Sequence, residues 1–191
     1  CEKHFAAGSL KELSAFAVSS GNKYFLLRHG EADSNKMGIN SCWPEKFDVK
    51  LTARGKKQIE KSAKDLKKKK IDLIFSSDLK RAKETAEIIS KALKIPVKYD
   101  KRLREYDLGV FNGEPTEKFD GFIGDEINKF SKVPEKGESL SDVRKRTVGF
   151  VSELDKKHKN KNILIIGHGD PLWVLEGAVS GKNEKQIVEA R

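Results

Sequence analysis

Two cysteines in 191 residues cannot make a disulfide framework, and Cys1 and Cys42 have no zinc-ligand spacing. No apolar run approaches the roughly 18 residues a membrane span needs. A secretory core is also lacking, because the stretch before Ser20 carries Lys3, Lys11 and Glu12. No internal repeat appears, which excludes solenoids and arrays. The expectation is a soluble, cytoplasmic protein with no membrane partner. Cys1 at the head of the chain, in place of an initiator Met, suggests a domain of something larger rather than a processed lipoprotein.

Acidic residues are also in deficit. Lys+Arg 39 against Asp+Glu 29 gives a net charge of +10, which favours anionic partners: phosphorylated metabolites, nucleic acid or a membrane surface. Charge alone does not choose among them, and Lys67 to Lys70 read as a solvated helix end. The length suits one α/β domain of ordinary size.

What the chain does have is a repeated punctuation. The apolar run Tyr24-Phe25-Leu26-Leu27 ends in Arg28-His29-Gly30-Glu31, and Ile163-Leu164-Ile165-Ile166 ends in Gly167-His168-Gly169. Each pattern is that of a buried strand delivering charge at its carboxyl end, where ligands gather in open α/β sheets. His29 and His168 are therefore expected to meet at one site. His4 and His158 have no such context and are expected at the surface.

Taken in order, Leu10, Leu13, Phe16 and Ala17 recur at helical spacing, with Ser9 and Glu12 as a capping box. Residues 1–20 are expected to be an amphipathic helical segment or linker. A strand follows at about 23–28, then a loop over 30–50 that places Asn35 and Trp43 beside the site. Thr52 caps a helix carrying Ile59, Ala63 and Leu66. The run 71–75 is a second strand, and Ser76-Ser77-Asp78 supply caps for a helix bearing Leu79, Ala82, Ala86, Ile89 and Leu93. Arg81 falls in that helix's first turn, opposing the positive end of the dipole, a conflict that a bound phosphate would resolve. A third strand at 96–99 leads to Arg104-Glu105-Tyr106-Asp107. Residues 112–138 read as a lid with one helical patch at Phe122, Ile123, Ile127 and Phe130. Ser139 and Asp142 open a long helix, and a last helix starts near Pro171. Strand alternating with helix predicts a largely parallel sheet covered on both faces.

His29, His168, Arg28, Arg81, Asn35 and Glu105 thus converge on the strand ends. A phosphoryl group in transfer spreads charge over three oxygens, and guanidinium forks suit those oxygens better than lysine does. One histidine can attack phosphorus to form a phosphohistidine, and the other, protonated, can donate to an equatorial oxygen. Glu105 can protonate the leaving oxygen and then activate water. Two histidines and a carboxylate could also hold zinc or iron, but arginines around a dication oppose it.

With those residues assembled, Arg28-His29-Gly30-Glu31 with Asn35 resembles the signature of the histidine phosphatase superfamily, the phosphoglycerate-mutase-like fold. Leu51-Thr52-Ala53-Arg54-Gly55-Lys56-Lys57-Gln58, Ser76-Ser77-Asp78-Leu79-Lys80-Arg81-Ala82-Lys83-Glu84-Thr85-Ala86, Leu103-Arg104-Glu105-Tyr106-Asp107-Leu108-Gly109, Gly137-Glu138-Ser139 and Gly167-His168-Gly169 resemble its other motifs, in order. The resemblance runs from about residue 23 to residue 181. It implies a three-layer α/β/α sandwich with a mostly parallel central sheet over 21–191, with one further strand expected after Arg191. It also implies a phosphohistidine mechanism without metal or cofactor, acting on a small phosphorylated substrate. By resemblance His29 is the nucleophile, its Nδ1 proton held by the Gly30 carbonyl. Glu105 is the proton donor, and Arg28, Arg81 and His168 complete the phosphate pocket, with Asn35 and the Gly169 N–H as lesser contacts.

The loop at 36–50 and the excursion after Glu105 depart from the true mutases, so net phosphatase chemistry is expected. Glu105 itself argues against the phosphohistidine-phosphatase subgroup, which lacks the acid motif. Gly8-Ser9-Leu10-Lys11-Glu12-Leu13 resembles a connecting segment of isoleucyl-type aminoacyl-tRNA synthetases, which would bring tRNA close through a parent protein. The competing expectations are a regulatory phosphate- or tRNA-associated module, which would have no use for Glu105, and mutase-type phosphotransfer.

Overall fold

The computed structural model describes residues 6–13 and 20–190. Its strands are β1 (Leu10–Glu12), β2 (Lys23–Arg28), β3 (Leu73–Ser76), β4 (Val97–Tyr99) and β5 (Asn162–Gly167). Its helices are α1 (Asp33–Met37), α2 (Ala53–Lys67), α3 (Lys80–Leu93), α4 (Thr116–Ile123), α5 (Leu140–Lys157), α6 (Gly169–Val179) and α7 (Glu184–Glu189). Short 3-10 turns occupy Lys101–Leu103, Gly109–Phe111 and Glu126–Phe130.

The sheet order is β1-β2-β5-β3-β4, parallel throughout except for β1. Successive side chains of a strand point to opposite faces, so each apolar strand feeds two cores. Tyr24, Leu26, Phe75, Ile163 and Ile165 pack with Phe150, Val151 and Leu154 of α5 and with Leu172 and Val174 of α6. On the other face Phe25, Leu27, Ile74, Leu164 and Ile166 pack with Ile59, Ala63 and Leu66 of α2 and with Ala86 and Ile89 of α3. The result is the expected three-layer α/β/α sandwich. Among the described residues no helix is long and apolar enough to cross a membrane.

Register brings the two histidines together. Arg28 lies opposite Gly167, so β2 and β5 end at the same level. The His29 N–H donates to the Gly167 carbonyl at 3.1 Å, and the Ser77 N–H donates to the Ile166 carbonyl at 3.0 Å. Beyond β2 the chain passes so close to the first turn of α2 that side chains are excluded on both sides. A Cβ on Gly30 would lie 2.5 Å from the Gly55 carbonyl oxygen, and one on Gly55 would lie 2.1 Å from that of Glu31. The Leu51-to-Gln58 motif is therefore a packing requirement of the strand that carries His29.

The helix starts at Thr52 and Ser139 form as expected. The Thr52 Oγ1 accepts from the Gly55 N–H at 3.0 Å, and Ser139 with Asp142 closes a capping box. Three expectations are corrected. The segment around Leu10 is a strand, not a helix: Leu10 pairs with Leu27, and the Ser9 carbonyl accepts from the Arg28 N–H at 3.2 Å. The open edge of β2 offers backbone partners that outweigh a weak local helical pattern. Phe16, Ala17 and His4 lie outside the described residues. Within the expected loop at 30–50, Asp33–Met37 forms a turn and a half of helix that ends on Gly38 in the left-handed region. The patch in the lid is split: α4 buries Phe119 and Ile123, while Phe130 sits in a separate 3-10 turn packed on Trp173.

Candidate active site

Five of the expected residues meet at the carboxyl ends of β2, β3 and β5. Arg28, His29, Arg81 and His168 are each no more than 3% exposed, and the two imidazoles lie 5.0 Å apart between ring centres. The His29 Nδ1 contacts the Gly30 carbonyl oxygen at 2.7 Å, and the Arg81 Nε–H donates to His29 Nε2 at 3.1 Å. The two contacts assign the proton to Nδ1 and the lone pair to Nε2, where it accepts from Arg81. Arg81 reaches that position with two further donors on Ser41, at 3.2 Å to Oγ and 2.8 Å to the carbonyl. Glu105 follows the Lys101–Leu103 turn, and its Oε2 stands 3.9 Å from His168 Nδ1. That distance is beyond hydrogen bonding, and His168 Nδ1 is buried with no partner among the described residues.

A cavity of about 300 Å³ opens beside these groups, lined by Arg28, Asn35, Tyr106, Phe119, Lys129 and Asp170 among others. The Asn35 Oδ1 is engaged by the Ala32 N–H at 3.0 Å, leaving its Nδ2 to meet an anion. Gly169 is the first residue of α6, where N–H groups lack intrahelical partners. Trp43, expected beside the site, is half exposed instead and lies 3.9 Å from the Arg104 guanidinium. Among the described residues no three His, Cys, Asp or Glu side chains cluster as a metal site requires.

The family model of the histidine phosphatase superfamily, branch 1, matches residues 24–189. The chain belongs to that superfamily. Phosphoserine phosphatase 1 of Hydrogenobacter thermophilus is 32% identical over 164 residues, covering 83% of this chain and 76% of the relative. Among solved structures, Bacillus stearothermophilus YhfR superimposes with a TM-score of 0.77 at 29% identity, over 87% of this chain and 83% of that one. A mycobacterial glucosyl-3-phosphoglycerate phosphatase solved with VO3 gives a TM-score of 0.75 at 27% identity, over 86% and 83%. None of these matches supports a synthetase parent.

The electrostatics of this histidine phosphatase site follow from burial beside cations. Burial, reinforced by the Arg81 and Arg28 guanidinium groups, holds the His29 imidazole well below its usual value. His168 is lowered for the same first reason, with Arg81, His29 and Arg28 adding to it. Both shifts favour the neutral rings in the protein alone, and the dianion of a bound phosphoryl group would oppose them at His168. Burial and the nearby Asp170 raise Glu105, against the opposing pull of Arg81, so its carboxyl favours the protonated form needed by an acid. Cys42, just behind Ser41, is pushed up to about 12 by burial and is a thiol rather than a nucleophile.

Four supporting residues escaped sequence reasoning. Glu45, from the loop, accepts the Lys80 N–H at 3.0 Å and stands 3.9 Å from Arg81, so it meets both the helix end and the misplaced cation. It does what Ser76-Ser77-Asp78 were expected to do, while Asp78 pairs with Arg104 at 2.7 and 2.6 Å. Ser41 holds Arg81, as described above. Arg146 on α5 donates to Glu138 at 2.8 Å and to the carbonyls of Arg102 and Glu105 at 2.6 and 3.1 Å, which fixes the turn bearing the acid. Ser77, expected as a helix cap, sits with its Oγ 2.8 Å from His168 Nε2. A hydroxyl within a strand–helix junction is the sole sequence signal for that contact, and it does not discriminate.

Proposed function

We propose that the chain is a phosphomonoesterase that works through a phosphohistidine on His29. The reading is carried by one observation: His29 keeps its Nδ1 proton on the Gly30 carbonyl and presents Nε2 beside the Arg81 guanidinium. An unprotonated Nε2 held beside a fixed cation suits in-line attack on a phosphoryl group once Arg81 turns that donor to the phosphoryl oxygens. Nε2 bonds to phosphorus as the P–O bond to the alcohol breaks, and Glu105 gives its proton to the leaving oxygen. Water then loses a proton to Glu105 and attacks phosphorus. The P–N bond breaks, releasing orthophosphate and restoring His29.

Arg28, Arg81, Asn35 Nδ2, the Gly169 N–H and the orphaned Nδ1 side of His168 supply the charge and donors for the phosphoryl oxygens. Relatives named as phosphatases of phosphoserine and of glucosyl-3-phosphoglycerate support a small phosphorylated substrate. A cavity of about 300 Å³ lies at the small end of ligand sites and favours something of phosphoserine's size over a glycoside.

The test is phosphate release from p-nitrophenyl phosphate by wild type and His29→Ala. Turnover should fall by at least about 10³-fold in the variant, as expected when a nucleophile is removed. Retention of a tenth of the rate would exclude the covalent route.

A further inference from the structure

Lys129 is a cation in an unusual position. It belongs to the 3-10 turn Glu126–Phe130 of the lid, is 3% exposed, and lines the same cavity as Arg28 and Asn35. An exposed lysine snorkels its ammonium into water, but this one does not. Its only hydrogen-bond acceptor among the described residues is the Glu126 Oε1 at 2.9 Å, on a side chain that is itself 39% exposed. An ammonium has three N–H donors, so two remain for whatever fills the cavity. Burying a charge with incomplete compensation is unfavourable, and the fold maintains it firmly. Phe130 packs on Trp173 with ring centres 6.2 Å apart, and the Tyr106 hydroxyl donates to the Lys129 carbonyl at 3.4 Å.

We propose that Lys129 reads a carboxylate on the alcohol half of the substrate, so that the cavity takes phosphomonoesters of small hydroxy or amino acids. The inference rests on the phosphatase reading and names its substrate class. In the phosphatase reading Arg28, Arg81 and His168 serve the phosphoryl group, which leaves Lys129 as the one further cation among the described residues lining the cavity. A single ammonium partly shared with Glu126 matches a monoanion. A second phosphate would bring two charges into a cavity whose wall already includes Asp120 and Asp170. Asp120, exposed at the rim, could face an amino acid's ammonium without disturbing that match.

The matched probes are O-phosphoserine and O-phosphoethanolamine, which differ only in the carboxylate. One charge-assisted hydrogen bond discriminates by about 10- to 100-fold, and wild-type kcat/KM should favour phosphoserine by that factor. In Lys129→Met, of similar length and without charge, the ratio should collapse to within about threefold of unity. Lys129→Gln should show the same collapse should the methionine variant fail to fold. Equal kcat/KM for the two probes in wild type, or a ratio preserved in a folded variant, would overturn the proposal. Absence of p-nitrophenyl phosphate turnover in wild type would instead sink the phosphatase reading. Calorimetric binding of the same two probes to wild type and variant would then decide the role of Lys129 alone.

Discussion

Replacing Ser77 by alanine probes how His168 presents its proton. The Ser77 Oγ lies 2.8 Å from His168 Nε2 and already accepts the Leu79 N–H at 3.3 Å. Of the lone pair and proton that remain to it, the proton is the one expected at Nε2, because the phosphoryl oxygens need a donor on the other ring nitrogen. On that assignment the neutral ring carries its own proton on Nδ1, the nitrogen left without a partner among the described residues and 3.9 Å from Glu105. In the proposed mechanism Ser77 is thus a positioning residue, which turns a neutral imidazole into a donor for the phosphoryl group. Alanine leaves Nε2 as a buried acceptor without a donor, at a cost of about 1–3 kcal/mol. Moving the proton to Nε2 does not escape that cost. It leaves an unpaired N–H against alanine and turns the Nδ1 lone pair towards phosphoryl oxygens that repel it.

At about 1.4 kcal/mol per tenfold, kcat/KM on p-nitrophenyl phosphate should fall about 10- to 100-fold. That is less than the roughly 10²–10³-fold loss that removing a whole oxyanion donor produces. The decisive readout is nitrogen NMR of the labelled ring. Wild type should show a neutral Nδ1–H ring, Ser77→Ala a mixture of tautomers, and Ser77→Thr, which keeps the hydroxyl, a return towards wild type. A merely structural serine would lower Tm without moving those resonances. An Nε2–H ring in wild type, or an alanine variant within twofold in rate with its ring unchanged, would refute the reasoning.

Glu105→Gln should slow alkyl phosphates by about 10²–10⁴-fold but p-nitrophenyl phosphate by less than about tenfold, because nitrophenolate leaves without a proton; equal losses would remove Glu105 from the acid role. Wild-type turnover of an alkyl phosphate should decline as pH rises through the raised Glu105 value, and in the Gln variant that limb should vanish. Stability should carry the opposite sign. His29 and His168 are lowered in the folded protein, so below the ordinary histidine value of about 6.5 the unfolded chain binds more protons and stability is lost. Melting curves should show Tm falling between about pH 7 and pH 5, less steeply in His29→Ala; a Tm independent of pH over that window would show that the rings are not held neutral.

The pattern of what was legible follows from where each kind of information sits. Buried parallel strands must be apolar on both faces, so β2 and β5 announce themselves, and a charged group at the end of such a run has few structural uses. Arg28, His29, Arg81, Glu105 and His168 were readable for that reason. Glu45, Ser41 and Arg146 were not, because each reaches the site from a distant segment whose path is set by tertiary packing. Leu10 misled in the same way: its local spacing is helical, but the partner that decides its conformation is Leu27 on the open edge of β2.

The same division explains the charge of the site. The motif residues place Arg28 and Arg81 against two rings whose burial favours the neutral form and a carboxyl whose value burial raises. The supporting residues then compensate only part of this. Glu45 stands at 3.9 Å from Arg81 rather than in contact, and Ser41 offers a neutral hydroxyl and carbonyl. A closer carboxylate would have made the empty protein more comfortable and occupied the guanidinium that an incoming dianion needs. In the proposed mechanism under-compensation keeps Arg81 available to the phosphoryl group, and Glu45→Ala should expose this. Losing the anion that caps α3 should lower Tm, by about 1 kcal/mol in stability, while KM for an aryl phosphate stays level or falls, because the phosphate gains a less shielded partner. A rise in KM with unchanged Tm would mean that Glu45 serves the substrate rather than the helix.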